Sequence, residues 1–124
     1  MPAPRSIGEL TSRMLRRKFY VILTTAHVAP EALVPHLAAH LEYMIELEKG
    51  GRLFASGPFT EEDGSKRSGM SIVRAESVDD ARMLASGDPF FVAGLRSFEV
   101  REWTVMEGSV GLAVNFSDQT VALS

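Results

Sequence analysis

Among the residues of this chain that can move protons or hold a ligand, His40 and Asp88 have the most telling surroundings. A histidine ring titrates near neutral pH, so a positioned one can act as general acid or general base. At about 100° per residue, His40 falls inside an apolar helical stripe of Leu37, Leu41, Met44 and Leu47, with Glu42 and Glu46 opposite. The wheel therefore aims a titratable ring at the core, and two readings compete. One is a buried neutral histidine with a satisfied hydrogen bond. The other is a proton-transfer group tuned by burial and a carboxylate, and that reading needs a partner. Asp88 is the candidate, because it is the acid flanked by apolar and turn residues instead of other charges. Preceding Pro89, it also has the form of a helix N-cap. The two roles are compatible if one oxygen caps while the other holds the imidazole.

The remaining polar groups narrow the chemistry. His36 and His40 are one turn apart, but two histidines without a third ligand do not make a metal site, and no metal is expected. Ser56, Ser68 and Ser71 lie at or near strand ends and can donate hydrogen bonds to a ligand, yet none sits in a nucleophile elbow, so a serine hydrolase is not supported. Ser56, Gly57, Ser68 and Phe90 are the candidate ligand contacts. Gly50-Gly51 and Gly57 suit a helix cap and a turn, and no glycine-rich phosphate cradle occurs, so no nucleotide or other cofactor is expected. Glu61-Glu62-Asp63 and Lys66-Arg67 read as a solvated loop. Phe90, Phe91 and Trp103 can line a pocket, though core packing is the simpler use of each.

These groups need a frame. Lys18 to Ala26 is apolar on both faces, as in a strand of a covered sheet. The spacing predicts a helix from about Pro35, taken as its first residue, to Lys49, stopped by Gly50-Gly51. Strands follow at Arg52 to Ser56 and Gly69 to Ala75, separated by a polar loop. Ser77-Val78-Asp79-Asp80 forms a capping box for a second helix ending at Gly87. Asp88-Pro89 opens a single turn to Gly94, and a last long strand covers about Leu95 to Met106. The β-α-β-β-α-β order fits an α+β ferredoxin-like plait, whose helices cover one face of the sheet and leave the other for a partner. A homodimer is the expected solution, with a higher oligomer as an extension of it. Val110, Leu112, Val114 and Phe116 alternate with small or polar residues, which predicts an extra C-terminal strand over Ser109 to Phe116, paired with a sheet edge. The expected organisation is a basic extension at 1–17, helical around Ile7, Leu10, Met14 and Leu15, then the plait at 18–106 and the strand extension at 107–124.

Composition sets outer limits. With 124 residues, 45% of them hydrophobic, one domain with one core is expected. The absence of cysteine removes disulfides and thiolate chemistry and fits a cytoplasmic protein. The longest apolar run, Phe19 to Leu23, is far below a membrane span. Arg5, Arg13, Arg16, Arg17 and Lys18 against Glu9 concentrate positive charge at one end of a chain whose net charge is −3, so nucleic acid is not an expected partner.

His40-Leu41, Gly51-Arg52-Leu53, Ser56-Gly57-Pro58, Asp88-Pro89-Phe90 and Ala93-Gly94, in this order, resemble the YciI-like (YCII-related) family across about Lys18 to Met106. The resemblance implies a dimeric α+β barrel of ferredoxin-like protomers, similar in fold to muconolactone isomerases and to a dehydrochlorinase of chloroaromatic breakdown. It also implies an active site built on a His and an Asp, here His40 and Asp88. The expected function is general acid/base chemistry of isomerase or lyase type on a small organic acid, lactone or substituted phenol. The alternative is a non-catalytic metabolite-binding or accessory dimeric module.

Overall fold

A computed structural model describes residues 3–124; residues 1 and 2 of the expected N-terminal extension lie outside the described residues. The chain divides into two compact units, one of Lys18–Thr104 and one of the two chain ends.

In the larger unit the elements are β1 (Arg17–Ala26), α2 (Pro30–Lys49), β2 (Leu53–Pro58), β3 (Ser68–Val73), α3 (Val78–Ser86), α4 (Pro89–Val92) and β4 (Arg96–Val105), following a short α1 (Ile7–Thr11) in the other unit. The four strands form one sheet in the order β2-β3-β1-β4. β3 is antiparallel to both β1 and β2, with Tyr20 opposite Val73 and Ile22 opposite Ser71, which is itself opposite Ser56. This is the α+β plait read from the sequence.

α2 begins five residues earlier than the sequence suggests. Pro30 takes the first helical position after Ala29, and Pro35 lies inside the helix. Either proline has the pre-set φ that a first turn needs, so spacing alone does not choose between them. Because Pro35 is so near the start, its missing N–H removes a single bond, the one owed to the Glu31 carbonyl. Ser77 caps α3 by accepting from the Asp80 N–H, as the capping box predicts.

The two long helices meet the sheet differently. α3 closes on it: Ala81 and Ala85 pack with Tyr20, Ile22 and Val73 to form the buried cluster, and Val73 and Ala81 are fully buried. Alanine at the contact lets a helix lie close, so that face seals. Leu33 is the one buried residue of α2. Leu37 and Leu41, placed in the core by the helix wheel, are 43% and 49% exposed. At its α2 end the sheet carries Ser56, Gly57, Gly69 and Ser71, residues too small to fill the space beneath a helix. A Cβ on Gly69 would stand 3.1 Å from the Gly57 carbonyl, so a larger residue there would press β2 and β3 apart by a few tenths of an ångström.

α2 and α3 are tied by Tyr43, whose hydroxyl donates to the Leu84 carbonyl at 2.6 Å. Burial, reinforced by the Asp88 carboxylate and opposed by Arg52, raises the Tyr43 pKa, which keeps this donor protonated. Its ring lies against Gly87, where an added Cβ would sit 2.5 Å from the hydroxyl oxygen. Arg52 fixes the other end of α3, donating to the Arg74 carbonyl and to Asp80 at 2.8 Å. The Glu76 N–H first, then Arg52, hold the Asp80 carboxyl below the usual range against a desolvation cost.

In the second unit, Ser6 accepts from the Glu9 N–H and caps α1, which ends at Thr11, so Met14 and Leu15 fall outside the expected helix. The C-terminal strand also differs from expectation. It is β5 (Leu112–Val114), and it pairs with β6 (Val121–Leu123), the chain's own last residues, instead of an edge of the main sheet. Asp118 closes the turn between them by accepting from the Thr120 N–H and hydroxyl. The loop from β4 to β5 is as short as the loop from β5 to β6, so loop closure does not choose between the two pairings, and the Asp118 turn is what favours the hairpin. No helix among the described residues is long and apolar enough to cross a membrane.

Gly87→Ala should cost about 1–3 kcal/mol, because Tyr43 must leave its place or α3 must shift. Thermal unfolding of the two proteins checks this, with a drop of several degrees expected.

Candidate functional site

Between α2 and the small-residue end of the sheet lies an open cleft of about 680 Å³. Leu37, Leu41 and Met44 of α2 form its apolar wall, and Ser56, Ser71 and Thr24 lie among the sheet residues that line it. The volume is that of a site for a small organic molecule. His40, Asp88, Phe90 and Arg96 also line it.

His40 comes from the middle of α2 and Asp88 from the junction of α3 and α4. His40 Nδ1 lies 2.9 and 3.0 Å from the two Asp88 carboxylate oxygens, and the side chains are 16% and 14% exposed. A carboxylate only accepts, so His40 Nδ1 donates and the lone pair of the neutral ring is left on Nε2. Nε2 has no hydrogen-bond partner among the described residues. The ring is therefore at the edge of a cleft and not sealed in the core as the helix wheel alone suggests.

Asp88 does both things expected of it. Its Oδ1 also accepts the Phe90 N–H at 2.9 Å, capping α4. The junction is held from α2 at two neighbouring points, since His40 and Tyr43 are three residues apart and share a helix face. Phe90 is 1% exposed, as core packing requires, and its ring stacks on His40 with centroids 4.4 Å apart.

The other expected contacts divide. Ser56 and Gly57 line the cleft, and the Ser56 hydroxyl is 2.7 Å from that of Ser71, its cross-strand partner. Ser68 lies outside the lining, and its hydroxyl donates to Glu61 at 3.1 Å. His36 is also outside. Trp103, assigned to core packing by the sequence, is instead 41% exposed, because position 103 falls on the face of β4 away from the α3 core.

Arg96 is the cleft residue that sequence reasoning missed. Its guanidinium lies over the Phe90 ring at 4.4 Å, and Nε is buried with no hydrogen-bond partner among the described residues. Burial lowers its pKa, opposed by the Asp88 carboxylate. The available signal was a cation at the start of the last strand, in register with Phe98 and Val100, which belong to the α3 side of the sheet.

Asp88→Asn should keep the α4 cap but loosen the ring tautomer, since an amide can either accept from Nδ1–H or donate to Nδ1. Imidazole ¹⁵N shifts should move from a single Nδ1–H form toward a mixture, with little change in melting temperature. Asp88→Ala should in addition lose about 1 kcal/mol of stability with the cap.

Comparison with known proteins agrees with this architecture. Residues 18–104 match the model of the YCII-related domain. The chain is 29% identical over 68 residues to the uncharacterized protein YjpA of Bacillus subtilis (strain 168), covering 55% of this chain and 75% of that one. Among solved structures it is similar to 5-chloro-2-hydroxyhydroquinone dehydrochlorinase (TftG) from Burkholderia phenoliruptrix AC1100, in complex with 2,5-dihydroxybenzoquinone. The TM-score is 0.59 at 25% identity, covering 68% of this chain and 92% of that one. With its ferredoxin-like sheet and the match over residues 18–104, the chain belongs to the YCII-related domain family.

Proposed function

We propose that this protein is an enzyme in which His40, oriented by Asp88, moves a proton on a small organic acid, lactone or substituted phenol, giving isomerisation or elimination. The observation that carries the reading is the His40–Asp88 pair at the edge of the cleft, with Nδ1 tied to a carboxylate and Nε2 unpartnered among the described residues. Nε2 takes a proton from a carbon or hydroxyl of the bound molecule, and the imidazolium so formed is stabilised by Asp88. Return of the proton to a different carbon completes an isomerisation. Departure of a leaving group as an anion, with the proton passing to water, completes an elimination. The apolar α2 wall offers a face for the ring of a bound molecule, and the serine hydroxyls supply hydrogen bonds for ring oxygens. The similarity to TftG, whose name records loss of HCl from a chlorinated hydroquinone, supports the elimination branch.

Chloride release from 5-chloro-2-hydroxyhydroquinone is the first assay. His40→Gln should lower turnover by about 10²- to 10⁴-fold with the fold retained by circular dichroism. Equal turnover by the native protein and His40→Gln, on this substrate and on a panel of small lactones and phenols, would sink the proposal.

The expected homodimer belongs to the same reading. Phe19 packs against Phe54 and Trp103 on the sheet face away from the α3 core, with ring centroids at 5.0 and 6.3 Å. Phe54 and Trp103 are 54% and 41% exposed, an aromatic cluster that favours burial against a second copy. Light scattering should give twice the chain mass for the native protein and the single chain mass for Trp103→Glu. A monomeric native protein refutes the dimer.

A further inference from the structure

We infer that Arg96 is the anion anchor of the cleft, so that the molecule presented to His40 carries a carboxylate or an ionised ring hydroxyl. This rests on the reading of the cleft as a substrate site and narrows the substrate class. A guanidinium offers five N–H donors in a planar fork that matches a carboxylate. In Arg96 none of them is used: the side chain makes no hydrogen bond or ion pair to any described residue, and Nε is sealed from solvent. Nε is beyond the reach of a ligand, but Arg96 lines the cleft with no acceptor among the described residues for its terminal amino groups, and a charged donor pair so placed suits an oxyanion.

The nearest acid does not fill that need. Asp88 has Oδ1 committed to the Phe90 N–H and both oxygens to His40 Nδ1. Asp88 thus influences Arg96 only through its field. Phe90 sets the spacing, with its ring against the His40 imidazole and the Arg96 guanidinium, each at 4.4 Å. A cation held on an aromatic face keeps its orientation without spending its hydrogen bonds. The terminal amino groups are what a ligand in the cleft can reach. One oxyanion there would place the rest of a small ring beside His40, and a neutral lactone lacking such a group would be a poor substrate.

The test uses benzoate and its neutral counterpart benzamide, titrated into the full chain at pH 7 and followed by amide chemical shifts. The native protein should bind benzoate about tenfold or more tightly than benzamide, the usual strength of a hydrogen bond to a charged group. Arg96→Gln should bring that ratio close to one. Arg96→Lys, which keeps the charge and loses the fork, should give an intermediate ratio and decides the matter if the glutamine variant does not fold. A native protein with no preference for benzoate, or a preference that survives in Arg96→Gln and Arg96→Lys, overturns the proposal. The turnover assay on His40→Gln reads separately. Preference without His40-dependent turnover would leave the anchor and remove the proton-transfer reading, and turnover without preference would do the reverse.

Discussion

The arrangement of this protein depends on how α2 grips the junction between α3 and α4. His40 and Tyr43, one turn apart, reach the same short stretch of chain: one takes the Asp88 carboxylate and the other the Leu84 carbonyl, with Gly87 lying under the phenol ring. Each bond spans more than 40 residues of sequence. Hydrogen bonds in a partly buried setting are less weakened by water than surface ones, so these two, with the His40 ring stacked on Phe90, define how α2 meets the junction. The same Asp88 oxygen that meets His40 also caps α4. Fold and site are therefore built from one set of bonds.

That grip explains why a cleft exists at all. α3 approaches the sheet through Ala81 and Ala85 and seals the core. α2 stands over Ser56, Gly57, Gly69 and Ser71, where no side chain is large enough to meet Leu37, Leu41 and Met44. Protein interiors are otherwise packed to crystal-like density, so an unfilled space of this size is stable only if it is open to solvent or to a ligand. The lining combines hydrocarbon from α2 and from sheet residues such as Leu53 and Met70, the hydroxyls of Thr24, Ser56 and Ser71, and His40, Asp88 and Arg96 among the charged or titratable groups.

A ferredoxin-like plait hosts many unrelated activities, so membership of the YCII-related family carries the fold further than the chemistry. The chemistry has to be read from local features: an imidazole whose Nδ1 is committed, a carboxylate with both oxygens engaged, and a guanidinium with none of its donors engaged. Phe90 lies between these roles as a buried ring that orients two of the three groups.

The sequence by itself determined the elements of the plait, because these follow from local rules. Period-2 and period-3.6 patterns, Ser77 and Asp88 as caps and Gly50-Gly51 as a stop place strands and helices to within a few residues. It also singled out His40 and Asp88, since a polar residue in an apolar stripe and an acid beside a proline are both visible without coordinates. It misplaced the start of α2 at Pro35, where Pro30 has the same local claim, and it assigned the C-terminal strand to a sheet edge where the chain's own last residues pair with it. Only the tertiary structure decided that Leu37 and Leu41 line a cleft instead of a core, that Ser68 turns to Glu61 while Ser56 lines the cleft, and that Arg96 is brought beside Phe90. The reason is physical: an apolar stripe says which face is kept from water, but the partner's size says how closely it is approached, and that partner is supplied by another part of the chain.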